Sequence, residues 1–307
     1  MFKNKKVLVT GGNGMIGQEL VALLLSRGAV VTVADISEKT TLLDVEYRQV
    51  DLRYFDQCVD VCRDKDYIFN LVGIKGSPKM CAEQPADFMV PMLQFNTNMM
   101  EAAIKSGVKW YLYTSSVGVY HPAEVFKEDD VWKTFPSPND RFAGWAKRIG
   151  ELQGDCFNVH YGLNNFSIVR PANVYGKGDD FSENGMVIPQ LVKRIHTEKP
   201  FVCWGDGSPI RDFIHADDVA DGILLCYEKK ITEPINLGSG KGVSIKELVD
   251  TLVEIYDDDV DVQWDKTKPN GDKIRLMDMT RANKHGFYPK TDLRTGLKEV
   301  VDYYESI

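Results

Sequence analysis

The sequence predicts an α/β protein: a doubly wound parallel sheet followed by a smaller, mixed α/β C-terminal lobe. Three observations predict it. Short apolar runs alternate with amphipathic stretches through the first half of the chain. A strand-like run over residues 7–10 ends in a glycine cluster and gives way at once to a helical pattern. After Pro171 the texture changes to loops rich in Gly, Asp, Asn, Lys and Pro, set between further helical patterns.

In chain order, residues 7–10 read as a buried strand. Residues 17–28 read as a helix with Leu20, Leu23, Leu24 and Leu25 on its apolar face. Strands follow at 30–34, 45–50, 67–72, 110–114 and 166–169, with helices over 92–106 and 145–160 between them. Strands that alternate with helices run parallel and are covered on both faces. Residues 176–186 and 264–274 read as loops, and helical patterns recur at 187–196, 216–227, 244–256 and 293–304. The domain reading is 1–172 for the sheet domain and 173–307 for the lobe, with segments around 210–240 returning to the first domain.

Composition narrows the function classes. The chain has 307 residues, 43% hydrophobic and 27% charged, as an ordinary globular protein does. A net charge of -8 argues against a nucleic-acid-binding face. Of six cysteines only Cys58 and Cys62 are close, and no second pair stands at zinc spacing. They read as free thiols of a reducing cytosol, with no metal site. The N-terminus runs directly into a strand rather than a signal peptide, and no apolar run approaches membrane-spanning length. A cytoplasmic protein without a membrane partner is expected.

The glycine cluster carries the first chemistry. Gly12, Gly14 and Gly17 fit G-x-G-x-x-G; Gly11, Gly14 and Gly17 fit G-x-x-G-x-x-G. In either pattern one glycine makes the tight turn and one lets the backbone approach a pyrophosphate. The third lets helix and strand pack closely, and the helix N-terminus faces the negative charge. The next strand ends at Asp35. A carboxylate there accepts from both adenosine ribose hydroxyls and repels a 2′-phosphate, so NAD is expected rather than NADP. This is a Rossmann-type dinucleotide grip. Asp51, followed by Leu52 at the end of the third strand, is placed to accept from the adenine amino group.

With these residues placed, the chain resembles the extended short-chain dehydrogenase/reductases, the nucleotide-sugar epimerases, reductases and dehydratases. Further motifs carry the resemblance: Tyr113-Thr-Ser-Ser-Val-Gly-Val-Tyr120, Lys147 with Glu151, Arg170-Pro-Ala-Asn-Val-Tyr-Gly176 and Arg211-Asp-Phe-Ile-His-Ala-Asp-Asp218. It is most similar to the GDP-L-fucose synthase branch, through Pro85-Ala-Asp-Phe88, Val187-Ile-Pro189, Trp204-Gly-Asp-Gly-Ser-Pro-Ile-Arg211, Lys268-Pro-Asn-Gly271 and Arg275-Leu-Met-Asp278. The resemblance implies a cofactor set of Gly11, Gly14, Met15, Ile16, Gly17, Asp35, Asp51, Leu52, Leu71, Val72, Lys147 and Pro171. It implies a nucleotide-sugar site of Lys75, Ser116, Asn173, Val187, Trp204, Arg211 and Arg275, with a GDP-sugar favoured. Arginine forks suit a diphosphate and tryptophan suits a base or sugar face. It also implies a homodimer, formed through the helices at 92–106 and 146–160.

Catalysis in the family uses Ser or Thr, Tyr and Lys. Ser116 matches the serine and Lys147 the lysine. The tyrosine belongs four residues before Lys147, where this chain has Ala143. Alanine relays no proton. Either Ala143 is an inactivating tyrosine-to-alanine replacement that traps substrate, or the chain is naturally without this relay. Val117 and Gly118 follow Ser116, so the acidic pair of a dehydratase is absent. The Cys and His of the 3,5-epimerisation in GDP-L-fucose synthases are also absent, with Val117, Gly118 and Met186 in their places. Redox at one sugar carbon remains. The expected function is an NAD-dependent 4-epimerase, the alternatives a 4-keto reductase or 4-dehydrogenase of a GDP-sugar, or a non-catalytic NAD-binding regulator.

Overall fold

Helices on both faces of a sheet require strands that are apolar on both sides. The N-terminal strands, except the edge strand at 46–49, meet that requirement in the computed structural model, which describes residues 1–307 except 75–82, 163, 184, 257, 258 and 269. The first half comprises β1 (Lys6–Thr10), α1 (Met15–Ser26), β2 (Val30–Asp35), β3 (Glu46–Gln49), α2 (Phe55–Cys62) and β4 (Tyr67–Asn70). It continues with α3 (Pro85–Lys105), β5 (Trp110–Thr114), α4 (Arg141–Tyr161) and β6 (Phe166–Pro171). Alternate side chains enter different cores. Val7, Val9, Tyr67, Phe69, Trp110 and Leu112 pack on one face with α1. Leu8, Ile68, Tyr111 and Tyr113 pack on the other with α2, α3 and α4.

The second half comprises β7 (Asn173–Tyr175), α5 (Val187–Thr197), β8 (Phe201–Trp204), β9 (Ile210–His215), α6 (Ala216–Glu228) and β10 (Ile235–Leu237). After these come β11 (Gly242–Ser244), α7 (Ile245–Tyr256), β12 (Val262–Asp265), β13 (Ile274–Arg275), α8 (Thr280–Lys284) and α9 (Leu293–Ser306). The main sheet has seven strands in the order β10-β6-β5-β4-β1-β2-β3, and each neighbouring pair is parallel. The chain builds outward from β1 to β3, then crosses back to lay β4 on the other side of β1. That reversal opens a crevice at the carboxyl ends of β1 and β4. β10 pairs with β6 in register Ile235↔Val169, and α6 packs against α1.

The lobe holds β11-β9-β13 with β7 on β9, and a separate parallel pair, β12 on β8. Its own core gathers Ile188, Leu191, Val192, Phe201, Leu248, Leu252, Leu297 and Val300. The strands β12 and β13 overlap the ends of the loop expected over 264–274. They are short, and their side chains are only partly buried, so no period-two pattern marks them.

The helix expected over 92–106 begins earlier, at Pro85. Pro91 lies inside it, yet Phe88, Met92, Phe95 and Met99 form one buried stripe across the proline. A proline removes one intrahelical bond, and the packing of that stripe outweighs it. The helix expected over 145–160 begins at Arg141.

Gly17 sets how close α1 comes to β1. A Cβ there would stand 2.4 Å from Gly11 O and 2.6 Å from Gly12 Cα, and both are backbone atoms that cannot rotate away. Gly17→Ala is therefore expected to cost roughly 2 kcal/mol by overpacking, read from urea denaturation. Unchanged stability would mean that α1 moves off β1 freely.

Candidate functional site

The crevice at the sheet's switch point continues into one cleft of about 1180 Å³. At one end lies the glycine turn. Gly11 has φ 70, a left-handed conformation natural to glycine, and its N–H donates to Ala34 O at 2.9 Å. Gly14 is the N-cap of α1, which has no side-chain cap and no acidic residue in its first turn. Its first N–H groups are left for an anion, and the helix dipole favours one there.

Asp35 closes this end. Its Oδ2 accepts from Asn13 N at 3.2 Å, and its Oδ1 accepts from Ser37 N at 3.1 Å and Ser37 Oγ at 3.0 Å. A carboxylate has about four acceptor positions and three are taken, so one remains for a ribose hydroxyl. Asp51 is differently placed. Both its oxygens accept from the Arg53 guanidinium, at 2.6–3.0 Å. Arg53 holds the Asp51 carboxyl below the usual carboxylate range. The carboxylate expected to meet adenine is thus already occupied by its own neighbour.

At the other end stand the residues expected to do chemistry. Ser116 follows β5, and its Oγ accepts from Gly118 N at 3.1 Å. Lys147, on α4, is buried and donates to Thr114 O at 2.7 Å. Burial brings its ammonium down to about 8, while the Glu151 carboxylate pushes it back up. A Cβ on Gly73 would stand 3.7 Å from Lys147 Nζ, so the missing side chain keeps that atom approachable. Ala143 lies one helical turn before Lys147 and faces the same cleft.

Tyr175 is the tyrosine among the described residues lining the cleft. Its hydroxyl lies 2.5 Å from where a Cβ on Gly296 would be, packed toward α9. Burial raises its pKa above the ordinary phenol value.

The cleft brings together Gly11, Gly14, Met15, Ile16, Gly17, Asp35, Asp51, Leu52, Leu71, Val72, Ser116, Ala143, Lys147, Pro171, Asn173 and Val187. Trp204, Arg211 and Arg275 lie outside its lining. Lys75 falls outside the described residues. Trp204 is 55% exposed, with Arg194 4.7 Å and Lys268 5.5 Å from its ring.

Arg211 and Arg275 sit side by side on paired strands, but their surroundings differ. Arg275 Nη2 pairs with Asp140 Oδ2 at 2.5 Å and with Asp272. Its fork is taken by carboxylates, so the diphosphate contact expected of it meets a competitor. Arg211 donates to Ile210 O at 2.8 Å and makes no ion pair among the described residues. Burial, and then the Arg275 charge, bring its guanidinium down to about 10.

Sequence reasoning missed Asn13, Ser37, Arg53, Gly73 and Asp140, which also line the cleft. Each is a common loop residue adjacent to a predicted strand or helix, and only the fold shows which of them face inward.

A family model described as the NAD dependent epimerase/dehydratase family matches residues 7–238. The chain belongs to that family. It is 31% identical to GDP-L-fucose synthase 1 of Arabidopsis thaliana, over 98% of this chain and 94% of the relative. Its fold matches that of UDP-N-acetylglucosamine 4-epimerase from Methanobrevibacter ruminantium M1, solved with UDP-N-acetylmuramic acid. The TM-score is 0.88 at 28% identity, covering 99% of each chain. It also matches UDP-glucose 4-epimerase of Thermotoga maritima, solved with UDP-glucose, with a TM-score of 0.84 at 27% identity over 98% and 99% of the two chains. NAD is the cofactor, and the site fits it: an uncapped helix N-terminus, a carboxylate with spare acceptor capacity and a buried lysine share one cleft.

The two arginines predict unequal stability effects. Arg275→Ala strands the half-buried Asp140 and Asp272 and is expected to cost roughly 3 kcal/mol. Arg211→Ala removes a half-buried cation without an ion-pair partner among the described residues and is expected to change stability by less than about 1 kcal/mol. Urea denaturation of both variants checks this; the reverse order would contradict the assignment.

Proposed function

We propose that this protein is a nucleoside-diphosphate-sugar epimerase acting at sugar carbon 4, with turnover suppressed by Ala143. One observation carries the reading. Ser116, Ala143 and Lys147 converge at one end of a cleft whose other end holds the glycine turn and Asp35. Dinucleotide and substrate then meet where the catalytic residues are. Two similar structures are 4-epimerases by name, and the similarity to a GDP-L-fucose synthase favours a GDP-sugar.

When bound, NAD takes up and returns one hydride. The glycine turn and the α1 N-terminus hold the pyrophosphate, and Asp35 accepts from the adenosine ribose. Lys147 donates to the nicotinamide ribose, as its approachable ammonium allows. Ser116 donates to the oxygen on carbon 4. Asn173 and Val187 line the sugar end, and Arg211 is the cation without a carboxylate, suited to a diphosphate. Oxidation at carbon 4 also releases a proton from its hydroxyl. Position 143 offers no acceptor, so the chain as it stands is an inactivated Tyr-to-Ala form of the enzyme.

A net 4-keto reductase is the second reading, favoured by 26% identity, over 99% of this chain, to a dTDP-4-dehydro-6-deoxy-D-allose reductase of a Streptomyces species. The discriminating experiment uses Ala143→Tyr. It is expected to gain about 10²–10⁴-fold in turnover and to form the carbon-4 epimer of a GDP- or UDP-hexose without added nucleotide. Product formed only with stoichiometric NADPH would replace the epimerase reading with the reductase. No product from any nucleotide sugar would leave the regulator reading. The same sample tests the proposed homodimer by sedimentation, since Val90, Leu152 and Val159 on α3 and α4 are exposed apolar groups that a partner would cover.

A further inference from the structure

One buried carboxylate reaches every segment that carries the proposed catalytic residues. Glu151 lies on α4 one turn after Lys147, and its side chain is 1% exposed. Its Oε1 accepts a 2.5 Å hydrogen bond from Ser115 Oγ, the residue before Ser116. Arg170, the residue before Pro171 and equally buried, donates to it from Nε at 2.9 Å and Nη2 at 2.7 Å. Arg170 also donates to the Tyr120 hydroxyl at 3.1 Å and Glu128 O at 2.9 Å. Tyr120 donates to Asn236 on β10 at 2.5 Å. The carboxyl ends of β5, β6 and β10 are thus joined to α4.

An ion pair that only held the fold would need Arg170 alone. Lys147 gives Glu151 a second role. Lys147 lines the cleft with its Nζ 5.3 Å over the Tyr113 ring, and the buried Glu151 carboxylate, one helical turn along α4, raises its pKa against the effect of burial. Glu151 itself is faced by Lys147, Arg148 and Asp155 on its own helix, by Tyr113 on β5, by Tyr120, and by Arg170 on β6. A buried ammonium without a nearby negative charge gives up its proton readily.

We infer that Glu151 is a positioning residue: it supplies the fixed negative charge that keeps Lys147 an ammonium, and it anchors Ser116 to the same helix through Ser115. The inference rests on the reading of Lys147 as the donor to the nicotinamide ribose. One side chain serves both because its oxygens meet Ser115, just past β5, and Arg170 on β6, one helical turn from Lys147.

The test is NADH binding followed by fluorescence across neutral and alkaline pH. The parent chain is expected to lose affinity as Lys147 loses its proton, near about 8. Glu151→Gln should move that loss roughly one pH unit lower, and Lys147→Ala should abolish the step. Glu151→Gln leaves Arg170 unpaired in the interior, so Glu151→Gln combined with Arg170→Met provides a variant without the stranded cation. It must also lose affinity at lower pH than the parent. Ser115→Ala keeps the charge. It should leave the pH of the step unchanged while lowering kcat several-fold, with little change in KM, in the Ala143→Tyr background. A step at the parental pH in both Glu151 variants would overturn the inference. A parent that binds no NADH at any pH would remove the cofactor role of Lys147 and the inference with it.

Discussion

The approach of α1 to β1 is the constraint on which the rest depends. Gly17 lies so near Gly11 and Gly12 that any side chain would meet fixed backbone. That contact points the helix N-terminus into the crevice where the strand order reverses. An uncapped helix end elsewhere on the surface would be solvated and without consequence. Here it faces the same space as Asp35 and Lys147. A second constraint holds the far end: the Arg170–Glu151 pair fixes α4 to the strand ends beside Ser116. The cleft is held at its two ends by different means, close packing at one and a buried ion pair at the other.

Much of this was legible in the sequence. Parallel strands buried on both faces read as continuous apolar runs, so the inner strands of the main sheet stood out, while β10 was legible only as part of a segment returning from 210–240. The glycine turn and Asp35 were legible because their chemistry depends on local spacing. The smaller sheets of the lobe were not, since strands as short as β13 carry too few residues for a period. The early start of α3 was hidden by Pro91, whose effect depends on packing that no local pattern records.

The candidate site was legible where a residue's role follows from its own position, and less so where it follows from a neighbour. Ser116, Ala143 and Lys147 face one cleft because helix and strand periodicity dictate it. Asp51 and Arg275 were expected to meet ligand, yet Arg53 occupies the first, and Asp140 and Asp272 occupy the second. These partners come from adjacent loops or from residues far along the chain. Arg211 gains significance by the opposite route, as the half-buried arginine whose nearby carboxylates pair with its neighbour. Position 143 was legible from spacing alone, as the alanine four residues before Lys147.

The central claim is that the glycine turn and Asp35 hold NAD. Calorimetric titration with NAD and NADP in parallel tests it most directly. Repulsion between Asp35 and a 2′-phosphate predicts NAD binding tighter by roughly tenfold or more. Equal or tighter binding of NADP would contradict the account.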